Sequence, residues 1–228
     1  MPDNLPRLLS QNGEYGKWLL CLGLSFVALT LTYWPQGLVH FRYDRDALQA
    51  GQEWRVLTAH LVHLNTLHLL FNLAGMLLLC ELLWRDFPVL HGAGLLIAAA
   101  VGISGALYWI HPELAWYAGL SGALHGLWAG CALAGCLPVQ AGSDGFTSSC
   151  SSNRKWLPPR WSVARCISAA GMICLIVKLV MESHYGASPR TVRMIGSPVI
   201  TVAHLYGALA GVFYILIWRT TQSGSIKK

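Results

Sequence analysis

Six apolar stretches separated by polar ones organise the chain, at roughly 17–37, 66–84, 88–110, 117–138, 162–181 and 198–218. Each approaches the ~20 mostly apolar residues that a helix needs to cross the hydrocarbon core of a bilayer. The pattern predicts an all-α polytopic membrane protein with six transmembrane helices, and six crossings put both termini on one side. The first run, Trp18 to Trp34, lacks a small-residue cleavage site and is followed by further apolar runs, so it reads as a membrane segment. Residues 38–65 form a long segment with amphipathic parts, Trp54 and several His, of a kind that lies in the membrane interface. Residues 139–161, rich in Ser, Gly, Pro and Lys/Arg, read as a cytoplasmic connector. With no soluble domain and no repeat array, 1–228 reads as a single membrane domain.

Composition sharpens this. Hydrophobic residues make up 54% of the 228 residues, charged residues only 11%, and the mean hydropathy is +0.48. An ordinary soluble domain carries ~25% charged residues. The chain cannot build a polar shell, which excludes a cytosolic globular protein, a disordered chain and a nucleic-acid binder despite the net charge of +6. Basic residues are enriched on the cytoplasmic side of membrane proteins. The N-terminus, the 2–3 turn, the 4–5 loop and the C-terminus hold Arg7, Lys17, Arg85, Arg154, Lys155, Arg160, Arg165, Arg219, Lys227 and Lys228. The opposite set holds Arg42, Arg45, Arg55, Arg190 and Arg193, with Lys178 inside segment 5. Ten against five places both termini in the cytoplasm and turns 38–65 and 182–197 outward. The seven Cys are odd in number and mostly sit in apolar segments, so they read as small buried thiols and not as a disulfide framework.

Polar groups at membrane depth are costly and stand out as functional suspects. In segment 2, His68 and Asn72 are four apart and share a helical face. Both can donate hydrogen bonds; interhelical glue, at ~0.6 kcal/mol per contact, accounts for the pair equally well. In segment 4, Gly119-Leu-Ser121-Gly122-Ala-Leu-His125-Gly126 puts Ser121 at a helix start, where free backbone N–H groups favour developing negative charge. Gly122, Gly126 and Gly130 also form a small-residue packing stripe. In segment 6, His204, Gly207 and Gly211 share a face, and the glycines allow close approach to the stripe of segment 4, carrying His204 toward Ser121.

Depth connects these groups. Segments 2, 4 and 6 run the same way, and His68, Asn72, Ser121 and His204 fall ~3–10 Å below the outer surface at 1.5 Å per residue. A nucleophile, a base and two oxyanion donors in one layer form the inventory for acyl transfer. No Asp or Glu lies at that depth in segments 2, 4 or 6, so the arrangement reads as a dyad. Gly102-Ile-Ser104-Gly105 repeats the Gly-x-Ser-Gly spelling inside segment 3, where the backbone N–H groups are already used, and reads as a decoy. His125, one turn below Ser121, either orients His204 or packs, with service as a competing base the lesser alternative. His60, His63 and His68 have a zinc-like spacing, but no nearby Cys or carboxylate completes a site, so neither a metal nor a cofactor is expected.

These residues resemble the rhomboid intramembrane serine proteases. The likeness runs from about Trp54 to Gly211, with Trp54-Arg55, His68-x-x-x-Asn72, Gly119-x-Ser121-Gly122 and Ala203-His204-x-x-Gly207-x-x-x-Gly211 in the family's order. It implies one rhomboid-like membrane domain over 1–228 with its core at about 54–218. It implies Ser121 as nucleophile, His204 as general base, and His68 and Asn72 as oxyanion-hole donors helped by the Ser121 N–H. Gly119, Gly122, His125 and Gly207 then support the site. The chain is most similar to the rhombosortase branch, through Trp54 to Asn65, Gly119 to Gly126, Lys178-Leu-Val-Met-Glu182 and Ala203 to Gly211. That branch implies cleavage of exported proteins near a C-terminal Gly-Gly motif followed by a membrane helix and a basic tail. The partners expected are such transmembrane substrates and membrane lipid, in a bacterial inner membrane. The alternatives are a general rhomboid protease and a non-proteolytic rhomboid-like protein that binds membrane helices. Many rhomboids carry Tyr where this chain has His125, and the 139–161 loop is long for the branch.

Overall fold

The computed structural model describes residues 5–84, 88–137 and 163–225. The expected connector at 139–161 and Cys150 lie outside the described residues. Each of the six apolar stretches contains a helix: α1 (Leu5–Tyr33), then α5 (Thr66–Leu82), α6 (Val89–Ile110), α7 (Ser121–Cys136), α8 (Val163–Tyr185) and α10 (Val202–Ser225). Between α1 and α5 come the short α2 (Gly37–Phe41), β1 (Tyr43–Asp44), α3 (Arg45–Gln49) and α4 (Arg55–Thr58). β2 (Trp116–Tyr117) precedes α7, and α9 (Pro189–Ile195) links α8 to α10.

The result is an all-α membrane bundle. Tyr15–Tyr33, Val89–Ile110, Val163–Tyr185 and Val202–Thr221 are each long and apolar enough to cross a membrane. α5 and α7 have only 17 and 16 residues, about 26 and 24 Å, against a hydrocarbon core of about 30 Å. The reason for the short α7 is local. Trp116 and Tyr117 pair antiparallel with Asp44 and Tyr43. Gly119 follows at φ +125°, which ends any helical path, and α7 can start only at Ser121.

α7 lies at the centre. Its small residues Gly122, Ala123, Gly126, Ala129, Gly130 and Ala132 are buried among α5, α6, α8 and α10. Lipid-facing side chains cover the outside, among them Leu22 and Phe26 of α1, Ile176 and Val180 of α8, and Leu209 and Phe213 of α10. α8 is the least embedded of the four long spans, with 11% of its window buried. It is held to α7 in part by the Trp128 indole, which donates to the Gly171 carbonyl at 2.9 Å.

Two glycines bring α7 and α10 into backbone contact. A Cβ on Gly207 would stand 2.0 Å from the Gly122 carbonyl oxygen, and one on Gly211 would stand 2.1 Å from the Gly126 oxygen. Only residues without a side chain let the helices meet this closely.

The 38–65 segment is more ordered than an amphipathic strip. Buried Arg55 donates to the carbonyls of Val39 and Arg42 at 2.8 and 2.9 Å and to Gln52 at 2.8 Å. Arg45 donates to three carbonyls at the end of α6, those of Leu107, Tyr108 and His111. Trp54 is half exposed. Asn65 caps α5 by accepting from the His68 N–H at 2.9 Å and ties α9 down by donating to the carbonyls of Met194 and Ile195. The loop, the starts of α5, α7 and α10, and the end of α8 thus meet at one end of the bundle. The described cysteines Cys21, Cys80, Cys131, Cys136, Cys166 and Cys174 are all free.

Candidate functional site

The site is built from helix ends. Ser121 is the first residue of α7, and the residue before it makes no side-chain cap. The leading N–H groups of α7 therefore lack intrahelical partners beside the Ser121 side chain. The turn that delivers it is pinned on both sides: the Gly119 N–H donates to the Ala59 carbonyl at 2.9 Å, and the Tyr117 hydroxyl donates to the Gly119 carbonyl at 2.9 Å. Gly119 is needed for space as well as for φ, since a Cβ there would stand 2.7 Å from His68 Cε1.

His204, at the start of α10, is carried in by the glycine contact of α7 and α10. Its Nε2 lies 3.0 Å from Ser121 Oγ. The ring is buried and stacks face to face on His125, with centroids 4.1 Å apart and planes 9° apart. His125 in turn donates from Nδ1 to the Ser121 carbonyl at 2.7 Å. Its Nε2 has no hydrogen-bond partner among the described residues.

The far nitrogen of His204 meets an acid that the two-residue expectation did not include. Nδ1 lies 2.7 Å from Glu182 Oε2, and the other carboxylate oxygen, Oε1, receives Lys178 Nζ at 2.5 Å. Glu182 comes from the end of α8. It lies at the end of segment 5, outside the three segments that carry the other polar groups. Its spacing of four from Lys178 was the available signal, because an acid–base pair four apart near a helix end forms one unit. The carboxylate accepts only, so it sets the proton on Nδ1 and leaves the Nε2 lone pair facing the serine hydroxyl.

His68 and Asn72 sit on one face of α5, both buried. The Leu64 N–H points at His68 Nδ1 at 3.5 Å, which leaves Nε2 as the N–H of the ring. Asn72 Nδ2 commits one N–H to the His68 carbonyl at 2.8 Å and keeps a second. Two cavities meet here. One of about 1240 Å³ runs between α5 and α8 and is lined by His68, Asn72, Ser121 and His204 among mostly apolar side chains. A smaller one of about 220 Å³ reaches His68 and Ser121 from the side of Trp116 and Pro198.

Ser104 and His60 make their hydrogen bonds outside this cluster. Ser104, in the middle of α6, is buried and donates to the Val56 carbonyl at 2.9 Å. His60 points at Ser104 and at the Ala100 carbonyl. His63 packs edge-on against His68. Metal-type ligand atoms do come together at His125, Glu182 and His204, all within 4.8 Å of one another. The two imidazoles are stacked nearly parallel, however, so their in-plane lone pairs run side by side and do not converge on one ion.

Residues 50–221, three quarters of the chain, match the family model of the Rhomboid domain. No curated protein matches the chain.

Proposed function

Because this chain belongs to the rhomboid family of intramembrane serine proteases, we propose that it is a multi-pass membrane endopeptidase in which Ser121 is the nucleophile and His204 the general base. One observation carries the reading. A serine at a helix N-terminus lies 3.0 Å from an imidazole nitrogen and lines a cavity open between α5 and α8.

Ser121 Oγ forms a bond to the scissile carbonyl carbon as its proton passes to His204 Nε2. The carbonyl oxygen gains the negative charge. His68 Nε2–H, the free Asn72 N–H and the Ser121 backbone N–H are the donors at hand for it. The C–N bond then breaks, and the proton on Nε2 goes to the leaving amine. A water molecule repeats the sequence on the acyl-enzyme, giving its proton to Nε2, which returns it to Ser121.

The substrates are transmembrane proteins, and we assign the chain to the rhombosortase reading, with cleavage next to a Gly-Gly segment before a terminal membrane helix and basic tail. Gly-rich segments are poor helices and expose their carbonyls readily, which suits a serine set at a helix start. The basic residues of the N-terminus and of the 4–5 loop support cytoplasmic termini in a bacterial inner membrane, with Ser121 near the outer face.

The test co-expresses two reporters, one with a Gly-Gly–helix–basic tail and one with an unrelated transmembrane helix. Wild type, Ser121→Ala and His204→Ala are compared. Cleavage of the first reporter alone, abolished in both variants, is the expected result. Equal cleavage of both reporters would reduce the assignment to a general rhomboid protease. Cleavage that survives Ser121→Ala would overturn the nucleophile, and no cleavage of either by folded wild type would favour the helix-binding alternative.

A further inference from the structure

We infer that Glu182, locked by Lys178, is a positioning residue for His204, so that the proposed protease works with a Ser121–His204–Glu182 relay and not with two residues. The inference rests on the protease reading and adds an acid to it.

Four observations converge. Glu182 Oε2 meets His204 Nδ1 at 2.7 Å while His204 Nε2 meets Ser121 Oγ at 3.0 Å, so the three groups lie in series through the two nitrogens of one ring. Both oxygens of the carboxylate are engaged, Oε1 with Lys178 Nζ and Oε2 with the ring. The pair lies in the last two turns of α8, at the same end of the bundle as Ser121, with the Glu182 carboxylate only 16% exposed, and an ionisable pair within a membrane segment is retained for function more readily than for stability. Finally, the ring is fixed in its plane by the stacked His125, which leaves the carboxylate to fix its rotation and tautomer.

The chemistry follows from the donor inventory. A carboxylate cannot donate, so Nδ1 must carry hydrogen and Nε2 must present its lone pair to the Ser121 hydroxyl. When Nε2 takes the serine proton, the ring becomes a cation beside an anion already in place. The Nδ1 proton stays on Nδ1 throughout; Glu182 is not a proton acceptor in the cycle. Lys178 balances the anion before the ring is charged and holds it in one rotamer. With Gln at 182, Lys178 takes the single amide oxygen. The amide N–H₂ then faces Nδ1, which favours the tautomer with hydrogen on Nε2, the wrong one for accepting a proton.

The test labels the full-length purified chain with a fluorophosphonate probe, which needs an activated serine and no knowledge of the natural substrate. Ser121 Oγ forms a bond to phosphorus, fluoride leaves, and the serine proton passes to His204. Glu182→Gln is expected to lower the limiting labelling rate by up to ~10⁴-fold, the loss seen when such an acid becomes its amide, with the concentration for half-maximal rate unchanged. Glu182→Asp keeps the charge and is expected to label faster than the Gln variant. In a His204→Ala background, Glu182→Gln is expected to add no further loss, because it acts only through that ring. Lys178→Met, which removes no group from the ring, gives a second route if the Gln variant does not fold, and is expected to lower the rate at least tenfold. Full-rate labelling of folded Glu182→Gln, or an equal further loss in the His204→Ala background, would overturn the relay alone. Equal labelling of wild type and Ser121→Ala would overturn the protease reading and the relay together.

Discussion

Two serine–histidine contacts among the described residues look alike on paper. Both serines stand in a Gly-x-Ser-Gly spelling, and both have an imidazole Nε2 close to Oγ, 3.0 Å for Ser121 with His204 and 3.2 Å for Ser104 with His60. Their proton directions are opposite. His60 Nε2 also faces the Ala100 carbonyl at 3.1 Å, which can only accept, so this nitrogen bears the hydrogen. Burial holds the His60 imidazole at about 4, well below its usual value, so it stays neutral. The Ser104 hydroxyl donates to the Val56 carbonyl, away from the ring. At Ser121 the carboxylate of Glu182 puts hydrogen on the far nitrogen, and the near one is left to accept. Ser104 sits in the middle of a 22-residue helix whose N–H groups are used, whereas Ser121 opens a helix and faces a cavity. A serine and a histidine in contact are therefore not enough. What separates a tether from a candidate nucleophile is the group on the far side of the ring and the state of the backbone around the serine.

The contrast is broken most strongly by removing the donors that Ser104 never had. His68→Ala or Asn72→Ala is expected to lower reporter cleavage and fluorophosphonate labelling by ~10²–10³-fold, the usual loss for one oxyanion donor. Rates within threefold of wild type in both variants would mean that the α7 N-terminus alone holds the charge.

The helix faces that make this contrast were legible because they repeat at i, i+3 and i+4. His68 with Asn72, and His204 with Gly207 and Gly211, could be read directly from spacing, and so could the approach of segment 6 to the glycine stripe of segment 4. Glu182 was not legible by depth within a helix. It reaches His204 because α9 folds back under the clamp of Asn65 and sets the end of α8 against the start of α10. The apolar stretch 117–138 is longer than α7 for a similar reason. Hydropathy does not register that Trp116 and Tyr117 are drawn into a two-residue ladder with β1. Nor does it show that Arg45 and Arg55 organise 38–65 by donating to carbonyls far along the chain.

A smaller effect tests whether backbone contact sets the Ser121–His204 distance. Gly207→Ala places a Cβ 2.0 Å from the Gly122 oxygen, and overpacking of this kind costs about 1–3 kcal/mol. The thermal midpoint in detergent is expected to fall, and labelling of Ser121 is expected to slow as α10 moves outward. Gly105, which follows Ser104 as Gly122 follows Ser121, has open space at its Cβ position. Gly105→Ala is accordingly expected to leave both readouts unchanged or to raise the midpoint slightly through helix propensity. Slowed labelling in the Gly105 variant, or normal labelling in the Gly207 variant, would separate the site geometry from the glycine contact.

The smallest effect falls on Ser104 itself. Ser104→Ala leaves His60 Nε2 with the Ala100 carbonyl as an acceptor, so the imidazole keeps a partner, and only the Val56 carbonyl loses its donor. A lost buried hydrogen bond of this type costs about 1 kcal/mol. The variant is expected to unfold at a slightly lower temperature while cleaving and labelling within twofold of wild type. The hydroxyl ties α6 to α4, and this tether lies next to the Ala59 carbonyl that receives the Gly119 N–H. A strong loss of activity at unchanged stability would therefore show that the α4–α6 contact positions the turn before Ser121, and that the two serines, opposite in proton direction, are linked through the backbone between them.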